Sequence, residues 1–444
     1  MKRFFSNEDL KKLIVPLIID QFLQAFVGLA DSIMVASVGE AAVSGVSLID
    51  TVMVLIINIF TALATGGAVI AGQFIGKQKE AEACKATNQL LLFTVKASVV
   101  VMALGYLGRN VILHGIFGKI DADVMYNCNI YLLIVFASIP MIAVYNAGAA
   151  IFRSMGNSTI AMITSLIMNA VNLGGNAVLI YGCHRGIEGV AIPTLVSRCV
   201  AAAIILVLLN NQSRQIHIFH PFSFHTDWNL LKKILYIGIP NGLENSMFQL
   251  GKILVLSLVS TFGTYAIAAN AVSNAIALFQ ILPGMAISLA ITTVISQCVG
   301  ANDYEQVHYY LKKLLAIIYV AMVGTVALIF LALPLILKAY NLSDQTAAAA
   351  TNIIHFHGIS AMIIWPLSFA LPAAYRAAGD AKACMYTSIV SMWIFRIGFS
   401  YLVGKYMGLG VFGVWVAMVI DWVVRAICFI IRYFNGKWKH GAIV

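Results

Sequence analysis

Ionisable side chains interrupt several long apolar stretches of this 444-residue sequence. A charged group at the centre of a bilayer costs about 2.5–3.5 kcal/mol on insertion scales, so such residues usually face a cavity or a partner. They therefore mark positions at which the chain could bind an ion or a charged ligand. The acids are Asp20, Asp31, Asp50, Glu244 and Asp421, and the cations are Lys96, Arg198, Lys252, Arg396 and Arg425.

The first apolar stretch carries two acids on one helical face. Asp20 and Asp31 are separated by about three helical turns, with Gln24 between them. A carboxylate in an apolar setting can hold a proton, or can bind Na⁺ when it is ionised. Pro16 removes a backbone hydrogen bond nearby, so we predict that it is the hinge of this helix.

Two further polar sets follow along the chain. Asn172 and Asn176 lie one helical turn apart, and their carbonyl oxygens suit hard cations. Amides at such positions also join helices to one another in membranes. A third set is a candidate site for substrate or for a second coupling ion, and its members are Glu244, Asn245, Gln249 and Lys252, together with Asp20, Gln24 and Arg396.

Charged side chains within the predicted spans are expected to pair with opposite charges. For Glu244, the sequence leaves Lys252 and Lys233 open as partners. For Arg396, the candidate partners are Asp421, Glu244 and Asp31. Arg198 and Arg425 lie toward predicted helix ends, where we expect them to snorkel to the membrane surface.

The elements that position these residues are twelve predicted transmembrane helices. Hydrophobic residues make up 61% of the chain and charged residues only 10%, whereas soluble domains carry about 25% charged residues. In lipid the backbone must satisfy its own hydrogen bonds, so spans of about 20 apolar residues form helices. The predicted spans are 13–36, 43–72, 86–108, 127–150, 159–182, 188–210, 231–259, 266–297, 310–338, 350–375, 382–406 and 410–434.

Charge sets the predicted topology. Twelve spans place both termini on one side, and most Lys and Arg outside the spans fall on the side that holds the termini. The positive-inside rule then puts both termini in the cytoplasm, in a cell (inner) membrane. The net charge of +10 is accordingly expected to meet anionic lipid rather than nucleic acid.

The chain also repeats itself. A shift of 224 residues aligns a set of Pro, Gly and Gln positions, among them Pro16 with Pro240, Gly39 with Gly263 and Gln73 with Gln297. Each half holds an even number of predicted helices, so the two halves are parallel repeats. We predict an N-lobe (1–210), a cytoplasmic linker (211–230) and a C-lobe (231–444). Such two-lobed folds place a substrate cavity between lobes that rock against each other.

These motifs together resemble the multidrug and toxic compound extrusion (MATE) family, within the multidrug, oligosaccharidyl-lipid and polysaccharide flippase superfamily, along the whole chain. The matching segments are Pro16…Gln21…Asp31-Ser-Ile-Met34…Val38-Gly39, Gly72-Gln73-Phe-Ile-Gly76, Arg153-Ser-Met-Gly156-Asn157, Arg376-Ala-Ala-Gly379-Asp380, Asn172…Asn176…Tyr181-Gly182 and Gly189-Val-Ala-Ile-Pro-Thr194.

The resemblance implies a secondary antiporter that exports organic, often cationic, compounds in exchange for H⁺ or Na⁺. Carried over, its N-lobe coupling site is Asp31, Asn172, Asn176 and Thr194, with Asn176 standing where family members often have Asp. We further expect a monomer without a cofactor beyond the coupling ion, with membrane lipid and small organic cations as its partners.

Other functions fit this sequence less well. No phosphate-binding Gly-Lys-Ser/Thr loop and no catalytic constellation is present in the sequence, so we expect neither ATP hydrolysis nor another enzyme activity. A lipid-linked saccharide flippase is the alternative, although extra helices or a cavity rich in Arg and Lys are not evident from the sequence. A major facilitator transporter fits poorly, because the loop Gly76-Lys-Gln-Lys-Glu80 lacks the Asp-Arg pair of that class.

Overall fold

The computed structural model describes residues 3–116, 118, 120–219, 224–439 and 442–444. Within these residues the chain forms helices and no β-strand. α4 consists of two pieces, Ala122–Phe136 and Ile139–Ser154, bent by 49°. The other helices are α1 (Asn7–Ala36), α2 (Glu40–Gly76), α3 (Glu80–Leu107), α5 (Ser158–Gly182), α6 (Glu188–Leu209), α7 (Trp228–Ser260), α8 (Thr264–Gly300), α9 (Tyr304–Ala339), α10 (Asp344–Ala377), α11 (Ala381–Tyr406) and α12 (Gly410–Phe434).

The predicted all-α membrane fold is confirmed. Among the described residues, ten helices are long and apolar enough to cross a bilayer, and the bent α4 makes an eleventh. α7 is less apolar, because Glu244, Asn245, Gln249 and Lys252 interrupt it, but its 33 residues extend about 50 Å at 1.5 Å per residue. Each of the twelve predicted spans therefore falls on one of these helices.

The described chain separates into two compact units. Residues 11–242 form the first, here called the N unit, and residues 243–443 with Met1–Leu10 form the second, the C unit. This boundary lies within α7. The predicted lobe limits and the linker at 211–230 stay predictions, and residues 220–223 of that linker lie outside the described residues.

α2 lies at the centre of the N unit. It packs along α3 and both pieces of α4, and Ile49, Met53 and Ile70 on it are almost fully buried. Gly66 lets α2 approach α7 closely, since a Cβ at this position would lie 2.5 Å from the carbonyl oxygen of Ile234. Small residues allow such close helix contacts in membranes.

α8 has the corresponding place in the C unit, where it packs against α9 and α10. Ala269, Leu333 and Ile354, one from each helix, are buried in a common apolar cluster. The N-terminal segment is held to the same unit, because the Phe5 N–H donates to the Tyr310 hydroxyl at 2.8 Å and that hydroxyl donates to the Phe5 carbonyl at 2.8 Å.

Three helices contain π-helical turns near the residues of interest. A π turn inserts an extra residue into the helix, redirects side chains and is frequent at functional sites. Asn176 precedes one turn, and Phe369 and Arg396 lie within two others. The turns are Ala177–Gly182 in α5, Pro366–Ala370 in α10, and Met392–Gly398 and Ser400–Tyr406 in α11.

Candidate functional site

Pro16 lies inside α1 without ending it. Because proline has no backbone N–H, the Lys12 carbonyl four residues earlier loses its helical donor. The Ser158 hydroxyl approaches this gap, with Oγ 2.6 Å from the Leu13 oxygen, its nearer acceptor, and 3.3 Å from the Lys12 oxygen. This end of α1 is thus held by a side chain of α5, which suits a hinge, although that role of Pro16 stays a prediction.

Asp20 and Gln24 are brought together on α1. Asp20 is only 6% exposed, and Gln24 Nε2 donates to its Oδ2 at 3.0 Å and to Ser165 Oγ at 3.4 Å. Arg153, in the last turn of the second piece of α4, acts on Asp20 as a nearby positive charge. The buried acid therefore has a hydrogen-bond donor on its own helix and feels the positive charge of an arginine.

Asp31 is hydrogen-bonded to one of the two predicted amides. Asn176 Nδ2 donates to Asp31 Oδ1 at 2.6 Å, and Asn172 Nδ2 donates to Thr194 Oγ1 at 3.1 Å. Asn176 is fully buried, and its Oδ1 has no hydrogen-bond partner. An unpaired buried acceptor is costly. Carboxylate and amide oxygens are also the ligands that hard cations prefer, so the Asp31–Asn176 pair has the chemistry to hold a proton or Na⁺. Asn172 and Thr194 form a separate hydrogen-bonded pair.

Asp50, an acid of α2 for which the sequence indicates no role, belongs to the same region as Asp31. The Tyr131 hydroxyl donates to Asp50 Oδ1 at 3.1 Å, and the charge of Arg198 acts on both Asp31 and Asp50. Arg198 Nη1 donates to Ser138 Oγ at 2.7 Å, in the break of α4. Arg198 is therefore anchored inside the N unit, and the expectation that it snorkels is wrong.

Glu244 on α7 is the centre of an ion-pair cluster in the C unit. Its Oε2 lies 3.1 Å from Arg376 Nη1, and its Oε1 lies 3.5 Å from Arg425 Nη2. The predicted partners Lys252 and Lys233 are wrong, since neither forms an ion pair with Glu244 among the described residues. Arg425 does not snorkel either, because it is 3% exposed.

Lys252 and Arg396 share one aromatic ring. Lys252 Nζ and Arg396 Cζ each lie 4.9 Å from the centroid of Phe248, a distance at which cations are attracted to ring faces. Among the described residues Arg396 makes no ion pair with any of its predicted partners, although Asp421 acts on it as a negative charge. The Asp421 carboxylate instead accepts a hydrogen bond from Ser391.

A cavity of about 380 Å³ lies in the C unit. Asn245 and Lys252 of the predicted polar set line it, whereas Gln249 does not. Four cationic side chains line the cavity, against a single carboxylate. The cations are Lys252, Arg376, Arg396 and Arg425, and the carboxylate is Glu244. The structure therefore brings into one cavity a set of Arg and Lys side chains that was not evident from the sequence.

Comparison with known families gives two matches within this chain. The family model MatE covers residues 16–178 and again residues 240–402. The chain belongs to the MATE family. The two matched segments start at Pro16 and Pro240, which confirms the internal repeat at the predicted offset.

Relatives of this MATE protein span nearly its full length. It is 28% identical to the uncharacterized transporter YisQ of Bacillus subtilis, covering 95% of this chain and 93% of the relative. It is 24% identical to a probable multidrug resistance protein NorM of Thermotoga maritima, covering 99% and 94%. Membership in this family makes the chain a multi-pass membrane transporter rather than an enzyme, and these relatives do not favour the saccharide flippase.

Solved structures show the same fold. A MATE transporter in a bent conformation superposes with a TM-score of 0.88 at 21% identity, covering 97% of this chain and 96% of the other. A superfamily transporter from Pyrococcus furiosus, described as having a binding pocket of reversed polarity, superposes with a TM-score of 0.90 at 22% identity over the same shares.

The two MATE repeats place an acid and an arginine at matching positions. Asp20 and Glu244 are related by the repeat, and each is influenced by the arginine that closes the corresponding fourth helix, Arg153 or Arg376. The repeats diverge at Asn172, which Arg396 replaces in the second. The polar side chain that contacts Asp31 is thus an amide, whereas the charged side chains that line the C-unit cavity are mostly cations.

Proposed function

We propose that this MATE protein is a secondary active exporter of organic compounds, including cationic ones, in exchange for H⁺ or Na⁺. The observation that carries the proposal is the 2.6 Å contact between Asp31 and the fully buried Asn176. A carboxylate in a membrane span, next to an amide oxygen without a partner, has the chemistry that a coupling ion requires.

In this proposal, the ion acts by binding one conformation better than another. A proton or Na⁺ on Asp31 removes a charge from the region shared with Asp50 and Arg198, and so changes the contacts that hold α1. A ligand shifts a conformational equilibrium only by its difference in affinity for the two states. The outgoing compound must therefore prefer the state that the ion disfavours.

The remaining parts of the proposal concern the setting. We place both termini in the cytoplasm, in the cell membrane, on the positive-inside argument. The protein works as a monomer, with lipid around it and no cofactor beyond the coupling ion. Glu244 is less suited than Asp31 to carry that ion, because two arginines already share its carboxylate.

The test is efflux of an ethidium-type cation from proteoliposomes under an imposed pH or Na⁺ gradient. We expect gradient-driven efflux in the unaltered protein, loss in Asp31→Asn, and retention in Asp123→Asn, which changes an exposed acid near the start of α4 in the same way. Efflux that survives in Asp31→Asn overturns the assignment of coupling to Asp31. No dye movement under either gradient overturns the proposed exchange.

A further inference from the structure

Arg425 has hydrogen-bonding capacity that the protein itself does not use. The residue is 3% exposed, and its Nη2 donates to Ser388 Oγ at 2.8 Å and reaches Glu244. Its Nε and Nη1 are buried and have no partner. Leaving buried donors of a charged group unsatisfied is costly. Because Arg425 lines the C-unit cavity, an acceptor inside the cavity would remove that cost.

The charges around this cavity also favour an acceptor with a negative charge. Glu244 is the one acid among the lining residues, and Arg376 and Arg425 already neutralise it. Lys252 and Arg396 have no ion-pair partner among the described residues, and each lies 4.9 Å from the centroid of the Phe248 ring. Asp421, which acts on Arg396 as a negative charge, is not among the residues that line the cavity. An organic cation entering here would meet an excess of positive charge.

Aromatic rings form another part of the cavity wall. Arg425 Cζ lies 4.4 Å from the centroid of Phe369, and Phe369 stacks on Trp365 at 5.3 Å and meets Trp422 edge-on at 5.7 Å. Cavities of about 300–1,000 Å³ with apolar walls and a few fixed polar groups are typical of small-molecule sites, and this one is at the lower end.

We propose that the C-unit cavity binds an amphipathic organic anion. An aromatic or similar apolar body packs among Phe248, Phe369 and Trp422, and a carboxylate or sulfonate group faces Arg425, Arg396 and Lys252. This inference goes beyond the proposed exchange, because it assigns the C unit a ligand of the opposite charge to the coupling ion.

The test is calorimetric binding to the full chain in lipid nanodiscs, without any gradient, using two probes of the same shape. Naphthalenesulfonate carries the anionic group, and naphthylmethyl-trimethylammonium carries a cation. We expect the sulfonate to bind at least about tenfold more tightly, the factor that corresponds to one charge-assisted hydrogen bond. Empty nanodiscs measure partition into lipid. Equal affinities for the two probes overturn the proposal.

Three variants locate the site. Lys252→Gln removes an exposed cation on the cavity wall without disturbing an ion pair, and should weaken sulfonate binding about tenfold. Lys405→Gln removes an exposed cation outside the cavity lining and should leave binding unchanged. Arg425→Gln should weaken binding more than Lys252→Gln does. Equal binding in Lys252→Gln and Lys405→Gln overturns the assignment.

This result is separable from the proposed exchange. Asp31→Asn lies in the other unit and should abolish gradient-driven efflux while leaving sulfonate binding unchanged. Sulfonate binding without any gradient-driven efflux supports the anion site and counts against the exchange. Efflux of the cationic dye with no selective sulfonate binding supports the exchange and overturns the anion site.

Discussion

Replacing Asn176 by Asp is the sharpest test of the N-unit site. Asn176 Nδ2 lies 2.6 Å from Asp31 Oδ1, and the asparagine is fully buried. The isosteric Asn176→Asp change converts that hydrogen bond into a contact between two carboxylates. We expect the variant to bind Na⁺ more tightly than the unaltered protein, because a cation between the two acids removes their repulsion.

The size of the effect follows from the separation of the charges. Two unit charges 4 Å apart repel by about 4 kcal/mol at an effective dielectric constant of 20, and the two side chains here are closer than that. Since about 1.4 kcal/mol corresponds to a tenfold change, relief of most of this repulsion raises the Na⁺ affinity by about 100-fold or more.

The assay is thermal unfolding of the purified protein during a Na⁺ titration at alkaline pH and constant ionic strength. A ligand present at 100 times its dissociation constant stabilises the folded state by about 2.7 kcal/mol. The midpoint temperature of Asn176→Asp should therefore rise at Na⁺ concentrations that leave the unaltered protein unchanged.

The control is a double variant, Asp31→Asn with Asn176→Asp, in which the two side chains exchange positions; it is called the exchanged pair. It restores one carboxylate and one amide in the same place, and should return the Na⁺ response to that of the unaltered protein. If Asn176→Asp and the exchanged pair respond to Na⁺ alike, the two side chains do not form one cation site, and the reasoning is refuted.

Two further predictions concern the ion-pair cluster and the hinge. Glu244→Gln leaves Arg376 and Arg425 without their counter-charge, and breaking a buried pair in this way costs about 3–5 kcal/mol. Its unfolding midpoint should fall well below that of Glu82→Gln, which removes an exposed pair with Lys85, and equal midpoints would show that the cluster contributes nothing. Pro16→Ala restores the backbone donor to Lys12, so it should slow dye efflux without lowering the unfolding midpoint, and efflux at the original rate would exclude a hinge at Pro16.

The helices and the repeat could be predicted because both can be recognised from the order of residues along the chain, without knowledge of how the helices pack. Hydrophobicity over about 20 residues decides whether a segment crosses the membrane, and every predicted span falls on a helix. The offset that aligns Pro16 with Pro240 needs only the order of residues. Within one helix, spacing also places residues correctly, as with Asp20 and Gln24, which are one turn apart and hydrogen-bonded.

The tertiary structure alone decided which distant charges meet. Glu244 pairs with Arg376 and Arg425, more than a hundred residues away, rather than with the nearby Lys252. Such partners depend on how each helix is rotated about its axis and how deep each residue lies, and the π turns in α10 and α11 change both locally. The hydrophobic pattern of the sequence determines neither the rotation of a helix nor the depth of a residue. For that reason the sequence by itself determined the membrane fold and the acids of α1, whereas the cationic character of the C-unit cavity emerged only once the helices were packed.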